Sequence, residues 1–531
     1  MDDRVENDAN LSRKAHDLDA LISVAAALNA EKDIRRLLEL ILEQSRKLTS
    51  ADAGSVYVVE NVKKLTGEKV SHLRFEVAQN DSLEIDFASQ VIPISPSSIV
   101  GSAAIRRMTI NIADMRNLAE EAPGLIHDNS FDDATGYQTR SVLAVPMINA
   151  RDEVIGVIQL INCKTQPEGC LEQPPDFNEM VVPFDRRSED LAKTLAYQAG
   201  IALDNALLLD ELKQVFEGFV EASVLAIEAR DPTTSGHSRR VANLTVGLAK
   251  AADRTTDGPY KDLHFSADEL KEIEYAGLLH DFGKVGVPEQ VLVKAEKLYP
   301  WDKELIISRF DYIRQWLRAE KLEQELRLIR SGDRQLLRSE SEELASRFRD
   351  EEHFVDQCVR MILRANKPSV LEEDTGRFLE ALAERRYRNP RGEMLPYLNE
   401  SEIECLKVRR GSLNADERLQ IESHVVHSFN FLCKIPWGRG FRRIPEIARD
   451  HHEKLDGTGY PSKLSASEIP PQARMMTIAD IFDALTASDR PYKPALPLEK
   501  ALDILRYDVE AKKLDADLFA IFLGARIFEK I

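Results

Sequence analysis

The sequence predicts an α+β domain, an antiparallel sheet flanked by helices, followed by a long coupling helix and an all-α domain with a helical insertion. Three observations carry this. Segments rich in β-branched residues between turn-like stretches lie in the first 185 residues. A proline-free run with apolar residues three and four apart starts at Arg186. From Asp231 onward the apolar spacing is helical almost to the end. At 531 residues the chain exceeds what one core organises, so two or three domains are expected.

Residues 1–14 read as a tail; "MDDRVENDAN" is acidic and polar and fits no signal peptide. Residues 15–185 read as the α+β domain. "LDALISVAAALNAEKDIRRLLELILEQSRKLT" has helical apolar spacing, and "AGSVYVV", "LRFEVAQ", "SVLAVPMIN" and "VIGVIQLINC" read as strands. Residues 186–227 form the coupling helix, with Leu191, Leu195, Ala199, Ala202, Ala206, Leu209, Leu212, Phe216 and Phe219 in one stripe. A helix joining two domains has little core of its own to bury such a stripe, so a parallel pairing in a homodimer is expected. Residues 228–531 read as the helical domain, interrupted at about 299–412 by an insertion. The charged stretch "RSESEELASRFRDEEHF" in it reads as surface helices.

A formal charge of −19 argues against a broad nucleic-acid surface, while leaving room for a local basic pocket that takes a small phosphate ligand. The most apolar region, "SVLAVPMINARDEVIGVIQLI", is interrupted by Arg151, Asp152 and Glu153 and reads as strands rather than a membrane span. A cytoplasmic location follows as the simplest expectation. Five scattered cysteines without CxxC spacing indicate neither a disulfide framework nor a zinc ribbon.

Histidines and carboxylates cluster in the second half: "SGHSRRV" with His237, "LLHDFGKVGVP" with His280 and Asp281, "IESHVVH" with His424 and His427, "DHHEKLDGTGYP" with His451 and His452, and "TIADIFDALTASDRPYK" with Asp480 and Asp483. Imidazole and carboxylate are the ligand set for iron, manganese or zinc, and a carboxylate can bridge two ions. Two adjacent histidines suit two neighbouring ions better than one. Any one of these histidines alone reads as a surface or core residue; the contexts together point to a multinuclear site.

With "LLHDFGKVGVP" and "HHEKLDGTGYP" in hand, the chain from about Glu228 to Leu505 resembles the HD-GYP subfamily of HD-domain phosphohydrolases. The resemblance implies an all-helical domain with two or three metal ions that hydrolyses cyclic di-GMP. It implies His237, His280, Asp281, His424, His451, His452 and Asp480 as metal ligands, with Asp281 bridging. It also implies Lys284 at the scissile phosphate, Arg490 and Lys493 at substrate phosphates, and Gly459, Tyr460 and Pro461 as the signature loop. Thr233 stands where some members have a Glu that recruits a third ion, which favours a binuclear iron or manganese site. The insertion is the larger departure. "LYPWDKELIISR" (Leu298 to Arg309) and "LNADERLQIESH" (Leu413 to His424) follow one pattern at a constant offset, and the expected ligand position is Arg309 in the first and His424 in the second. Arginine has no acceptor lone pair and cannot ligate, so His424 is the expected ligand.

Residues from about Leu18 to Asn205 resemble a GAF domain, through "FDDATGYQTRSVLAVPMINARDEVIGVIQLINCK" and "LAYQAGIALDNALLLDEL". Asn162, Lys164 and Phe184 partly match the signature of cyclic-nucleotide-binding members, although Cys163 separates the first pair and the acids Glu189 and Asp190 are reversed. The expected function is therefore cyclic di-GMP hydrolysis to linear pGpG, with GMP as a further product, under control of the GAF domain. The alternatives are hydrolysis of cyclic GMP-AMP, or a receptor or scaffold that docks protein partners at the GYP loop or the insertion.

Overall fold

The computed structural model describes residues 2–63, 69–83, 90–230, 235–331, 334–487 and 495–529. It forms two compact units, Met1–Phe216 and Glu217–Ile531, and the boundary falls within one 45-residue helix, Arg186–Arg230.

The first unit is built on an antiparallel sheet of β1 (Ala51–Lys63), β2 (Lys69–Asn80), β3 (Gln90–Pro93), β4 (Ile110–Ile112), β5 (Val142–Ile148), β6 (Val154–Lys164) and β7 (Val181–Val182). The order is β3-β2-β1-β6-β5-β4, with β7 paired to β6. Side chains alternate across the sheet as strand geometry requires. Leu143, Val145 and Met147 of β5 join Leu37, Leu38, Ile41 and Leu42 of the helix Ile34–Thr49 and Leu195, Ala196 and Ala199 of the long helix. Val142 and Ala144 pack on the opposite face with Ile99, Val100 and Ala103 of the helix Ile99–Arg106. Gly200 lets the long helix lie directly on the sheet, because a Cβ there would sit 2.4 Å from the Ile148 carbonyl oxygen. Farther along, Leu209, Leu212 and Val215 are exposed in the single chain.

The second unit is mostly helical. Helices His237–Ala252, Ala267–Leu279, His424–Leu432, Ile444–Asp450 and Pro471–Thr486 surround the histidine clusters. The insertion consists of the paired helices Pro300–Ser331 and Arg334–Ala365, then the helix Glu373–Glu384, a two-stranded ribbon (Arg386–Arg388 with Met394–Pro396) and the helix Glu400–Leu406. Two expectations need correction. The insertion is not purely helical, because "RYRNPRGEMLP" turns at Gly392 (φ +86°) into the ribbon. Nor is it only surface helix: Phe310, Ile313, Phe348, Val355, Ile362, Leu379, Tyr397 and Leu406 form a core of its own. The charges of "RSESEELASRFRDEEHF" flank Leu344 and Phe348, which that core buries. No helix among the described residues is long and apolar enough to cross a membrane.

Candidate metal centre

Five chain segments converge on one buried centre. His237 opens its helix after Gly236, whose φ of +67° turns the chain into it. The next helix, Ala267–Leu279, ends at His280 and Asp281, and a tight turn, Phe282–Gly286, carries Lys284. Gly283 allows that turn to rest on the helix His424–Leu432; a Cβ there would fall 1.9 Å from the His424 carbonyl oxygen. Ser428 locks the contact, donating to the His280 carbonyl at 2.7 Å and accepting from the Gly283 N–H at 2.8 Å. Phe282 stacks on Phe431 with ring centres 3.8 Å apart.

Three imidazoles are held the same way. Nδ1 of His280, His424 and His451 donates to the carbonyl three residues earlier, on Gly277, Ile421 and Ala448, at 2.7, 2.6 and 2.6 Å. That bond places the lone pair on Nε2. All three Nε2 atoms are buried with no hydrogen-bond partner. An unpaired buried acceptor is costly, and a metal ion is the partner that imidazole nitrogens turned toward carboxylates suit. His424, His451 and His452 form one group with metal-ligand spacing, and His237, His280 and Asp281 form another, so the adjacent pair His451–His452 falls in a single group rather than dividing between two as expected. Asp281 lies between them: Oδ1 is 3.3 Å from His424 Nε2, and Oδ2 is 3.3 Å from His280 Nε2 and 3.7 Å from His237 Nε2. Asp480 Oδ1 is 3.2 Å from His237 Nε2, and its Oδ2 is 3.8 Å from His452 Nδ1. Lys284 Nζ is 2.7 Å from Asp281 Oδ2. All seven expected ligands and Lys284 thus meet. Arg490, Lys493 and Thr233 lie outside the described residues.

The two halves differ electrically. Burial lowers the pKa of His424, His451 and His452, and neighbouring imidazoles lower it further, so these three stand neutral, the form that ligates. Burial also lowers His237, but the carboxylates of Asp480 and Asp483 outweigh it and raise the group to about 9. Burial raises Asp281, yet Lys284 and the imidazoles of His280 and His424 hold it well below the usual carboxylate range. A proton on His237 therefore stands where an ion's charge would otherwise be felt.

The signature loop walls one side. Tyr460 N donates to the His452 carbonyl at 3.3 Å, and its ring centre lies 4.8 Å from that of His452. Gly459 packs on the chain at Glu453 and Lys454, where a Cβ would come within 2.4 Å of Lys454 N. Pro461 follows through a cis peptide. Buried Glu453 accepts the N–H groups of Ser462 at 2.6 Å and Leu464 at 3.0 Å, which ties the loop to the histidine pair. Sequence reasoning does not single out Glu453, and it names Asp483 only as a ligand-type neighbour of Asp480, without its place beside His237. His237 Nδ1 donates to Asp483 Oδ2 at 2.7 Å, and Arg240 Nε donates to Asp483 Oδ1 at 2.6 Å. Such an outer carboxylate orients a ligating ring. Its signal was the spacing of three in both Asp480/Asp483 and His237/Arg240, which puts each pair on one helix face.

The three residues considered for a GAF ligand are occupied otherwise. Asn162 adopts φ +57°, accepts from Arg140 N at 2.7 Å and donates to the Gln138 carbonyl at 2.9 Å. Lys164 Nζ lies 3.1 Å from both Asp52 and Asp81, with its side chain 1% exposed. Phe184 is in the core beneath the long helix. The polar groups of Asn162 and Lys164 are paired within the protein, and Phe184 packs in the core.

Comparison with known proteins agrees with this layout. Residues 33–203 match the GAF domain family, and two matches to the HD domain cover residues 234–368 and 401–518. The first HD match contains His237, His280 and Asp281; the second contains His424, His451, His452 and Asp480. A 3'3'-cGAMP-specific phosphodiesterase 3 of Vibrio cholerae is 39% identical over 110 residues, 21% of this chain and 23% of the relative. A 3'3'-cGAMP-specific phosphodiesterase 1 from the same organism is 35% identical over 113 residues, 21% of this chain and 25% of the relative. A cyclic di-GMP phosphodiesterase of that organism is 52% identical over 60 residues, 11% of this chain and 12% of the relative. The chain spans no more than a quarter of the length of these curated relatives. It carries an N-terminal GAF domain followed by HD-superfamily segments and is related to members of the HD-GYP family.

Proposed function

We propose that the chain is a metal-dependent phosphodiesterase that hydrolyses a 3',3'-linked cyclic dinucleotide to a linear product under the control of its GAF domain. The observation that carries this reading is the set of three buried Nε2 atoms without a hydrogen-bond partner, those of His280 and His424 each 3.3 Å from a different oxygen of Asp281 and that of His451 grouped with His424 and His452. His237, His280 and Asp480 would hold one ion, His424, His451 and His452 the other, and Asp281 both. Iron and manganese suit these donors. When bound, such a pair supplies a lowered water pKa and neutralises a phosphodiester's charge.

The chain's own residues do the rest. Asp483 keeps the His237 ring aimed, Lys284 offsets charge developing on the phosphate, and Tyr460 screens the three-imidazole side from water. Arg490 and Lys493 are proposed phosphate contacts, the former able to fork onto two oxygens. The two longer matches are to enzymes named for cyclic GMP-AMP, which supports that substrate ahead of cyclic di-GMP. Pairing of the exposed Leu209, Leu212 and Val215 faces in a homodimer would let the long helix carry a GAF signal.

The test is product analysis with iron-loaded and manganese-loaded protein on cyclic GMP-AMP and cyclic di-GMP. Metal-dependent linear dinucleotide, absent with Asp281→Ala, is the expected result. Binding of both nucleotides without product in either metal would move the chain to a receptor role.

A further inference from the structure

We infer that the buried Lys294–Glu417 ion pair is the positioning device that carries His424 across the insertion and sets its ring against Asp281. The inference rests on the metal-centre reading above. Lys294 lies just after the Asp281 turn and the short helix Glu289–Leu292, before the insertion begins. Glu417 lies just after the insertion ends. Lys294 Nζ meets Glu417 Oε1 and Oε2 at 2.7 Å each, with side chains 1% and 9% exposed. Ser412 Oγ adds a bond to the Lys294 carbonyl at 2.8 Å, and the ammonium lies 4.3 Å from the centre of the Tyr299 ring. The two ends of the insertion are therefore closed on each other by groups outside its own core.

Glu417 is also part of the start of the helix Ala415–Glu422. Its N–H donates to Asn414 Oδ1 at 2.9 Å, and its Oε2 accepts from Asn414 N at 3.0 Å. One turn later, Ile421 supplies the carbonyl that accepts from His424 Nδ1 at 2.6 Å. The ion pair thus fixes the helix that fixes the carbonyl that aims the ring. The Gly283 and Ser428 contacts hold the following helix separately. Loss of the pair should consequently disturb the aim of His424 and leave the packing of its helix in place. Outer partners of ligands of this kind typically change metal affinity by about 10–100-fold.

Manganese titration of the full chain, read by calorimetry and by the electron paramagnetic resonance of coupled ions, tests this. Glu417→Gln and Lys294→Met are expected to weaken the second ion by about 10–100-fold, abolish the coupled signal and leave the first ion's affinity unchanged. Lys294→Arg is expected to restore most of the coupling. Two ions bound at wild-type affinity in Glu417→Gln would overturn the inference. So would equal loss of both ions, which marks general loosening, or a wild type that takes up only one ion. Counting ions needs no substrate, so a wild type that binds two ions but hydrolyses nothing would sink the proposed function and still leave this result readable.

Discussion

Arg309 and His424 occupy the same position of one repeated sequence pattern, but Arg309 lies inside the continuous helix Pro300–Ser331 whereas His424 opens the helix His424–Leu432 after a break at Ser423, and their surroundings divide them. Arg309 spends its guanidinium on Glu402, at 2.7 and 2.8 Å, and on the Tyr397 carbonyl at 3.0 Å, joining its helix to the ribbon and the helix Glu400–Leu406. His424 spends one nitrogen on Ile421 and leaves the other unpaired beside Asp281. By that same offset the counterpart of Glu417 is Asp302, not Glu402; Glu402 and Glu417 are alike only in that each completes a capping box with an asparagine and pairs with a cation earlier in the chain. One sequence pattern thus serves as structure in the first copy and carries the proposed ligand His424 in the second. What separates the two is whether every polar atom is satisfied.

The sharpest way to break this comparison is to remove both side chains in turn. His424→Ala is expected to cut turnover on the order of 10⁴-fold, as for a residue that acts within a catalytic unit, while the thermal transition stays near wild type. Arg309→Ala should do the reverse. It leaves the Glu402 carboxylate buried without its partner, which costs about 3–5 kcal/mol of insertion stability, visible as early melting with both ions still bound.

Lys284→Ala comes next, with an expected fall in kcat of about 10²–10³-fold and unchanged metal content. Retention of full turnover would remove Lys284 from the phosphate.

Proton release separates the halves of the centre. His237, raised to about 9, carries a proton at pH 7 when no metal is bound, whereas the three lowered imidazoles do not. Binding at the His237 side must expel that proton, so affinity there should rise with pH up to about 9 and then level. Calorimetry in buffers of different ionisation enthalpy should find about one proton released at pH 7 and none at pH 10. Equal release at both would contradict the assignment. The smallest expected effect on ion count is from Arg309→His, which loses the Glu402 pairing as Arg309→Ala does yet should bind no additional ion, because no counterpart of Asp281 or of the His451–His452 pair lies beside Arg309 among the described residues.

Much of the centre was legible because metal ligation needs particular residue types, and types can be read without coordinates. The expected ligand set comes from the resemblance to the HD-GYP subfamily, while the preference for His424 over Arg309 rests on the lone pair that arginine lacks. The order of strands and helices was legible from apolar period. What was not legible depends on contacts between distant segments. Asp483 and Glu453 show their roles only once His237 and the loop at Ser462 are placed beside them. The insertion's core joins Phe310 to Tyr397 across a ribbon, although "NPRG" was an available turn signal. The pairing of Lys164 with Asp52 and Asp81 was not legible, because those acids lie far back in the chain.

The most direct test is the anomalous-scattering map of crystals grown with iron or manganese, collected above and below the metal edge for the wild type and for His424→Ala. Two peaks on either side of Asp281 are expected in the wild type, one among His237, His280 and Asp480 and one among His424, His451 and His452, with the second lost in the variant. Two undiminished peaks in His424→Ala, or a single peak in the wild type, would contradict the claim that the segment after the insertion completes the centre.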